Sequence, residues 1–329
     1  MPIHFSHFFW GFIMQEHKIA VLFPGQGSQF IGMGREFLES DAEADKLMDL
    51  AESISSAPLR KLCLEGPMEE LTRAMYLQPA LTAVNLICWQ AVRKAGIQAD
   101  YFAGHSLGEY SALHAAGVLE TEDTLKLVSE RGRLSEREGR KNPGGMQAIL
   151  GLTLEEVEEI LAAFPQSDMV SVANHNTETQ IVISGYHDTL AKVDAIVTEK
   201  GGKAITLNVA VANHSPLVAG AIPDFEKIMA ETRFSPPGKP VLFNVTAAEE
   251  TAPTAIRSIM SRQIASRVRW FDIINSLVAR GVNRFVEVGP KKVLTGLTKK
   301  IIPKSSGCKL FQVDTPENLV KCLDAMRGD

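Results

Sequence analysis

Cysteine is scarce and scattered. Cys63, Cys88, Cys308 and Cys322 are the four in 329 residues, and no C-x-x-C pair occurs among them. That spacing argues against structural zinc and a disulfide scaffold, and it suits a chain kept reduced in the cytoplasm. No run approaches the ~18 consecutive apolar residues that a membrane span requires. Positive charge is not in excess either. Thirty-four Lys and Arg face 39 Asp and Glu, for a formal net charge of −5, which speaks against binding nucleic acid through overall basicity. A phosphate loop is excluded by the lack of Gly-Lys-Ser/Thr. What remains is ordinary globular composition, 45% hydrophobic and 22% charged, long enough for one large domain or two smaller ones.

The first fourteen residues, MPIHFSHFFWGFIM, hold five aromatics but no Lys or Arg. No small-residue cleavage site follows, so they do not read as a signal peptide. Met14 stands just before the first strand and is the expected physiological start. Residues 1–13 are then an upstream extension, and 1–17 lie outside the fold.

Short apolar runs at Ile19–Phe23, Tyr101–Ala103, Val241–Val245, Arg284–Val288 and Leu310–Val313 alternate with helix-length segments, including 74–95 and the Ala-rich stretch ending at Ala116. That rhythm predicts a parallel α/β sheet. Residues 140–209 break it. Met146–Leu152 reads as a strand, Thr153–Phe164 as a helix opened by a Thr-x-x-Glu capping box, and Met169–Asn174 with Gln180–Ser184 as two strands. Asp188–Lys200 is then helical and Ala204–Val209 a last strand. The order β-α-β-β-α-β predicts a ferredoxin-like small domain inserted into a larger α/β domain made of 18–139 and 210–329.

Gly104-His105-Ser106-Leu107-Gly108 fits G-x-S-x-G, with a short strand before it and a small-residue helix after it. In that setting the serine sits on a sharp turn at a helix N-terminus, where developing negative charge is favoured. A base is needed, and eight histidines are available. His4, His7 and His17 lie in or beside the extension; His105, His114, His175 and His187 have no positional argument. His214 lies where the chain leaves the inserted unit, a common place for catalytic groups, but position alone leaves the choice open.

From Thr121, read as N-cap, to about Gly139 the chain reads as a helix. Leu127, Val128 and Leu134 fall on one side with Arg131 among them, whereas Arg133 points to solvent. A buried guanidinium needs a carboxylate, either a structural partner or a ligand bearing a free acid group. The glycine-rich loop Pro24–Gln29 is no dinucleotide site, because the third glycine of G-x-G-x-x-G falls on Phe30. It has backbone N–H groups to offer an oxyanion if it lies beside the serine.

Together these segments resemble the malonyl-CoA:acyl-carrier-protein transacylase family. The likeness is carried by FPGQGSQ at 23–29, QPAL at 78–81, GHSLGEYSAL at 104–113, ERG at 130–132, QIVISG at 180–185, NHSPL at 213–217 and EVGPKKVLTGL at 287–297. The resemblance implies a hydrolase-like α/β domain with a ferredoxin-like insertion. It implies Ser106 as acyl-accepting nucleophile, His214 as its base, and the amides of Gln26 and Leu107 as the oxyanion hole. Arg131 would clamp the malonyl carboxylate, and the backbone carbonyl of Gln263 would orient the histidine. Malonyl-CoA and an acyl carrier protein are the implied partners, with no cofactor, since the CoA thioester is itself a substrate. Two positions depart from the family: no phenylalanine precedes His214, and Lys291 stands where glycine is frequent. A polyketide acyltransferase acting in trans, or a thioester hydrolase on the same Ser-His pair, would share the motifs.

Charge is uneven along the chain. Residues 251–313 hold twelve basic and two acidic residues, so the segment carries +10 and the remainder −15. Such asymmetry predicts an acidic partner docking there, and acyl carrier proteins are acidic.

Overall fold

The computed structural model describes residues 17–166, 169–209 and 211–327. The expected start at Met14 and the extension before it lie outside the described residues, which begin at His17.

Five parallel strands form the main sheet: β1 (Lys18–Phe23), β2 (Tyr101–Gly104), β7 (Val241–Leu242), β8 (Val282–Val288) and β9 (Lys309–Val313), in the order β7-β2-β1-β8-β9. Its strands are predominantly apolar because both faces are covered, with Arg284, Glu287 and Gln312 as buried exceptions. In β1, Val21 and Phe23 pack into one core with Val84, Cys88 and Trp89 of the helix Ala74–Lys94. Ala20 and Leu22 pack into the other with Trp270, Ile273 and Ile274 of the helix Trp270–Ala279. The run expected at Val241–Val245 pairs over only two residues. Asn244 leaves the sheet there, and its polar groups are taken up beside the G-x-S-x-G turn.

The second sheet is antiparallel. It comprises β3 (Gly145–Leu150), β4 (Val170–Thr177), β5 (Gln180–Gly185) and β6 (Lys203–Thr206), ordered β4-β5-β3-β6. Helices Leu154–Ala162 and His187–Glu199 complete the β-α-β-β-α-β unit. The Thr153 capping box is present, with Thr153 and Glu156 each bonding the other's backbone amide. Ile149, Ile181 and Ile183 face the helices, while Met146, Ala148 and Val182 form the opposite face. That opposite face looks onto the end of the main sheet. We propose dividing the chain on this basis into a large α/β domain (18–139 and 210–329) and a ferredoxin-like small domain (140–209).

The helix Thr121–Lys141, expected to have Thr121 as its cap, instead has Glu120 at that position. Thr121 already adopts helical geometry, and Glu120 is extended, at φ −72° and ψ 161°. The two domains are stitched at one edge. The amide of His175 donates to the carbonyl of Val268 at 2.8 Å, and the amide of Val268 to the carbonyl of Ala173 at 2.8 Å.

Candidate active site

Parallel α/β sheets place ligands at the carboxyl ends of their strands, and β1 and β2 both end at the cleft between the domains. After β2 the chain turns through Ser106 at φ 52°, a left-handed conformation that an L-residue adopts only under strain. The glycines make the turn sterically feasible. A Cβ on Gly108 would sit 2.0 Å from the carbonyl oxygen of Phe23, and one on Gly104 would sit 2.1 Å from the Gly108 carbonyl. A Cβ on Gly25 would meet the His105 carbonyl at 2.3 Å and the Leu107 amide at 3.4 Å. The glycine loop after β1 therefore abuts the serine turn, an adjacency the sequence left open. No described residue accepts a hydrogen bond from the amides of Gln26 or Leu107.

His214 is the histidine brought to the serine. Its Nε2 lies 2.6 Å from Ser106 Oγ. Its Nδ1 faces two backbone carbonyls, Gln263 at 3.1 Å and Ser266 at 2.9 Å. Two acceptors on Nδ1 fix the proton there and leave Nε2 to accept from the serine. His214 too has a positive φ, 59°. It is buried, and desolvation followed by the nearby Arg131 charge pulls its pKa down to about 3. Four other described histidines go elsewhere. His105 bonds Asn176 Oδ1 through Nε2 at 2.8 Å, His114 faces the Leu119 carbonyl, His175 packs on Phe271, and His187 lies near Gly145.

Arg131 is 2% exposed. The partnership required of a buried guanidinium is met by amides rather than acids. Nη1 donates to Gln78 Oε1 at 2.9 Å and Nη2 to Gln263 Oε1 at 3.1 Å. Nη2 also lies 3.4 Å from Ser106 Oγ. Its Nε is buried with no acceptor, and among the described residues no carboxylate forms an ion pair with it. Arg133, by contrast, is exposed and pairs with Glu130.

Several supporting groups escaped the sequence reading. Asn244 braces the turn: its Oδ1 accepts from the Ser106 amide at 2.7 Å, and its Nδ2 donates to the Gly104 carbonyl at 2.6 Å. It lies 138 residues from the serine in a stretch that reads as strand, so no local signal marks it. Ser266, too, carries no signal. Gln78 and Glu109 sit inside segments already singled out, QPAL and GHSLGEYSAL.

The cleft has two compartments. An outer one of about 430 Å³ is lined by Gln26, Ala148, Asn176, Val182, Lys291 and Val293, among others. An inner one of about 80 Å³ is bounded by Ser106, Leu107, Arg131, Met146 and His214. The inner space fits a short acyl group. It ends at a serine within hydrogen-bond reach of a histidine, two unengaged amides and an arginine with an unfilled donor, an arrangement whose chemistry suits acyl transfer from an acid-bearing ester or thioester. No group of three or more His, Cys, Asp or Glu among the described residues has metal-binding geometry.

Comparison with known proteins agrees with this geometry. The acyl transferase domain family matches residues 21–312. A malonyl CoA-acyl carrier protein transacylase of Bacillus subtilis (strain 168) is 37% identical over 314 residues, covering 95% of this chain and 98% of that protein. The crystal structure of a malonyl-CoA:acyl carrier protein transacylase from Xanthomonas oryzae pv. oryzae superposes with a TM-score of 0.89 at 36% identity, covering 95% and 99% of the two chains. A type II polyketide-synthase acyl-carrier protein complexed with its malonyl-transacylase gives a TM-score of 0.89 at 32% identity, covering 94% and 99%.

Proposed function

The chain belongs to the malonyl-CoA:acyl-carrier-protein transacylases within the acyl transferase family, and from that premise we propose how its residues carry the reaction. The enzyme transfers malonyl from malonyl-CoA to the phosphopantetheine thiol of an acyl carrier protein, in the service of fatty-acid synthesis. Ser106 Oγ attacks the thioester carbonyl as its proton passes to His214 Nε2. The amides of Gln26 and Leu107 hold the oxyanion. As the tetrahedral species collapses, the C–S bond breaks and the CoA sulfur takes the proton from His214, leaving malonyl esterified to Ser106. In the second half the carrier's thiol gives its proton to His214 and attacks the ester, and Ser106 leaves with that proton restored. No cofactor enters either half. Four free cysteines support a reduced, cytoplasmic setting.

One observation carries the choice of acyl group. Arg131 is buried, lacks a carboxylate, keeps an orphaned Nε donor and places Nη2 3.4 Å from Ser106 Oγ. A carboxylate two carbons from the reacting carbonyl satisfies it; an acetyl group leaves it unsatisfied. A plain hydrolase has no use for such a group. The test is intact-protein mass spectrometry after brief exposure to malonyl-CoA or acetyl-CoA. A malonyl adduct on wild type, little acetyl adduct, and none on Ser106→Ala is the expected result. Equal labelling by both thioesters would remove the clamp, and CoA release without any adduct would favour hydrolysis.

The carrier's dock narrows from the 251–313 segment to part of it. Arg267, Arg269 and Arg280 are committed to Glu158, Asp272 and Glu249, Arg257 bonds the Thr232 carbonyl, and Arg284 is buried. The exposed Lys291, Lys292, Lys299 and Lys300 instead flank or sit on the helix Val293–Ile301. That helix also contributes Val293, Leu294 and Leu297 to the outer compartment, so an acidic carrier seated there delivers its arm straight into the cleft. The polyketide carrier in one matched complex supports a second reading, service to polyketide synthesis with the same chemistry. Rates of transfer to carriers of the two kinds separate them.

A further inference from the structure

Glu109 lies in the first turn of the helix Gly108–Ala115, three residues past the nucleophile, and is entirely buried. It touches neither the acyl group nor His214, and the steps above make no use of it. Its carboxylate is nevertheless fully engaged. Oε1 accepts from the Asn244 backbone amide at 2.7 Å, and Oε2 accepts from Gln263 Nε2 at 2.8 Å. Burial pushes its pKa up to about 8, while these two donors and the Arg131 charge pull the other way. Each oxygen accepts an N–H, and no acceptor among the described residues stands ready for a carboxyl proton, so the contacts favour the ionised form against the effect of burial.

The Gln263 side chain has a polarity, and Glu109 shares in setting it with the Ser106 carbonyl and Arg131. Nε2 donates both to Glu109 and to the Ser106 carbonyl, the latter at 2.7 Å, so Oε1 is the end that faces Arg131 Nη2 at 3.1 Å. Turned over, the amide would press N–H groups against the guanidinium and an oxygen against the carboxylate. A carboxylate only accepts, so it opposes that flip alongside the Ser106 carbonyl and Arg131, whereas a neutral amide in its place withdraws that share of the opposition. The same two residues reach both sides of Ser106, because Asn244 Oδ1 accepts from its amide and Gln263 Nε2 donates to its carbonyl.

We propose that Glu109 is the positioning residue of the acyl-carboxylate clamp. Acting through Gln263, it fixes the orientation in which Arg131 presents its spare N–H groups to malonyl, and it supplies the buried counter-charge to Arg131 while the clamp is empty. It does so at one remove, since a carboxylate in direct contact with Arg131 would occupy the seat meant for the substrate. This rests on the reading of Arg131 as the malonyl clamp.

The test is Glu109→Gln, which keeps the shape but has one acceptor where two are needed. Initial rates of Ser106 acylation by malonyl-CoA and acetyl-CoA are read by intact mass. The malonyl rate should fall at least tenfold and the acetyl rate far less, so that the malonyl-to-acetyl ratio drops about tenfold. A merely structural glutamate would lower both rates together; an unchanged ratio overturns the proposal. If that variant does not fold, the swap Glu109→Gln with Gln263→Glu keeps the group count and moves the carboxylate onto Arg131. It should prefer acetyl over malonyl, and retained malonyl preference overturns the proposal. A wild type indifferent to the two thioesters would remove the clamp and this proposal with it. A selective wild type with an equally selective Glu109→Gln overturns the Glu109 assignment alone.

Discussion

The protonation state of His214 offers the sharpest test of the site. Burial, then the Arg131 charge, hold its pKa down to about 3 against an ordinary 6.5. An unperturbed histidine is only about 9% neutral at pH 5.5, whereas one near 3 is more than about 99% neutral. The serine should therefore keep its base down to pH 5 and below. The assay is the second-order rate of Ser106 modification by a small fluorophosphonate, which needs neither clamp nor carrier, between pH 4 and 8. The expected profile has no acid limb centred between pH 6 and 7. Arg131→Met removes the second cause of the shift and leaves the first. Its acid limb should move upward, toward the ordinary value but short of it, because desolvation is the larger influence. A wild-type rate that halves near pH 6.5 and falls tenfold per unit below it would refute the reasoning. A limb unmoved in Arg131→Met would refute the charge coupling alone.

The remaining predictions concern the turn, the mouth and the dock. Gly108→Ala forces a Cβ to within 2.0 Å of the Phe23 carbonyl, backbone against backbone, and should cost about 3 kcal/mol or more; an unchanged urea midpoint would contradict the packing. Lys291 occupies a left-handed position at φ 65°. Lys291→Gly relieves about 1–2 kcal/mol of strain against about 0.5–1 kcal/mol of added chain freedom, so the melting temperature should rise by roughly 1–2 °C, and a fall would mean that its contact with the Gly27 carbonyl at 3.4 Å outweighs the strain. Reversing Lys299 and Lys300 to Glu should raise the KM for carrier protein several-fold at low salt, with the effect fading as ionic strength rises; an unchanged KM places the dock elsewhere.

What could be read from sequence follows the range of the interactions involved. The serine turn was legible because its requirements are local: glycines where backbones touch, a strand before and a helix after. Arg131 was legible as an anomaly, since helical periodicity put a charge among Leu127, Val128 and Leu134. Its partners were not, because Gln78 and Gln263 lie 53 and 132 residues away and only the tertiary fold assembles them. The same limit hid Asn244 and Ser266. The charge count over 251–313 points to a segment but does not pick out residues within it. Which cations remain available depends on ion pairs to distant acids such as Glu158 and Glu249, and no count along the sequence contains that.

The arrangement of charge also accounts for a histidine oriented by carbonyls rather than by an acid. A carboxylate on His214 Nδ1 would stabilise the imidazolium, but it would also place an anion in the same buried space as Arg131 and compete with the substrate for it. Carbonyls of Gln263 and Ser266 fix the tautomer without adding charge. The cost is a weak base while the site is empty, because Arg131 opposes protonation of His214. If Arg131 is the clamp proposed above, a malonyl carboxylate on it would offset that opposition as the reacting carbonyl reaches Ser106, and the substrate would itself strengthen the base. On that proposal, discrimination against acetyl would act on the chemical step as well as on binding, since an acyl group without a carboxylate would leave His214 facing an uncompensated positive charge in the transition state.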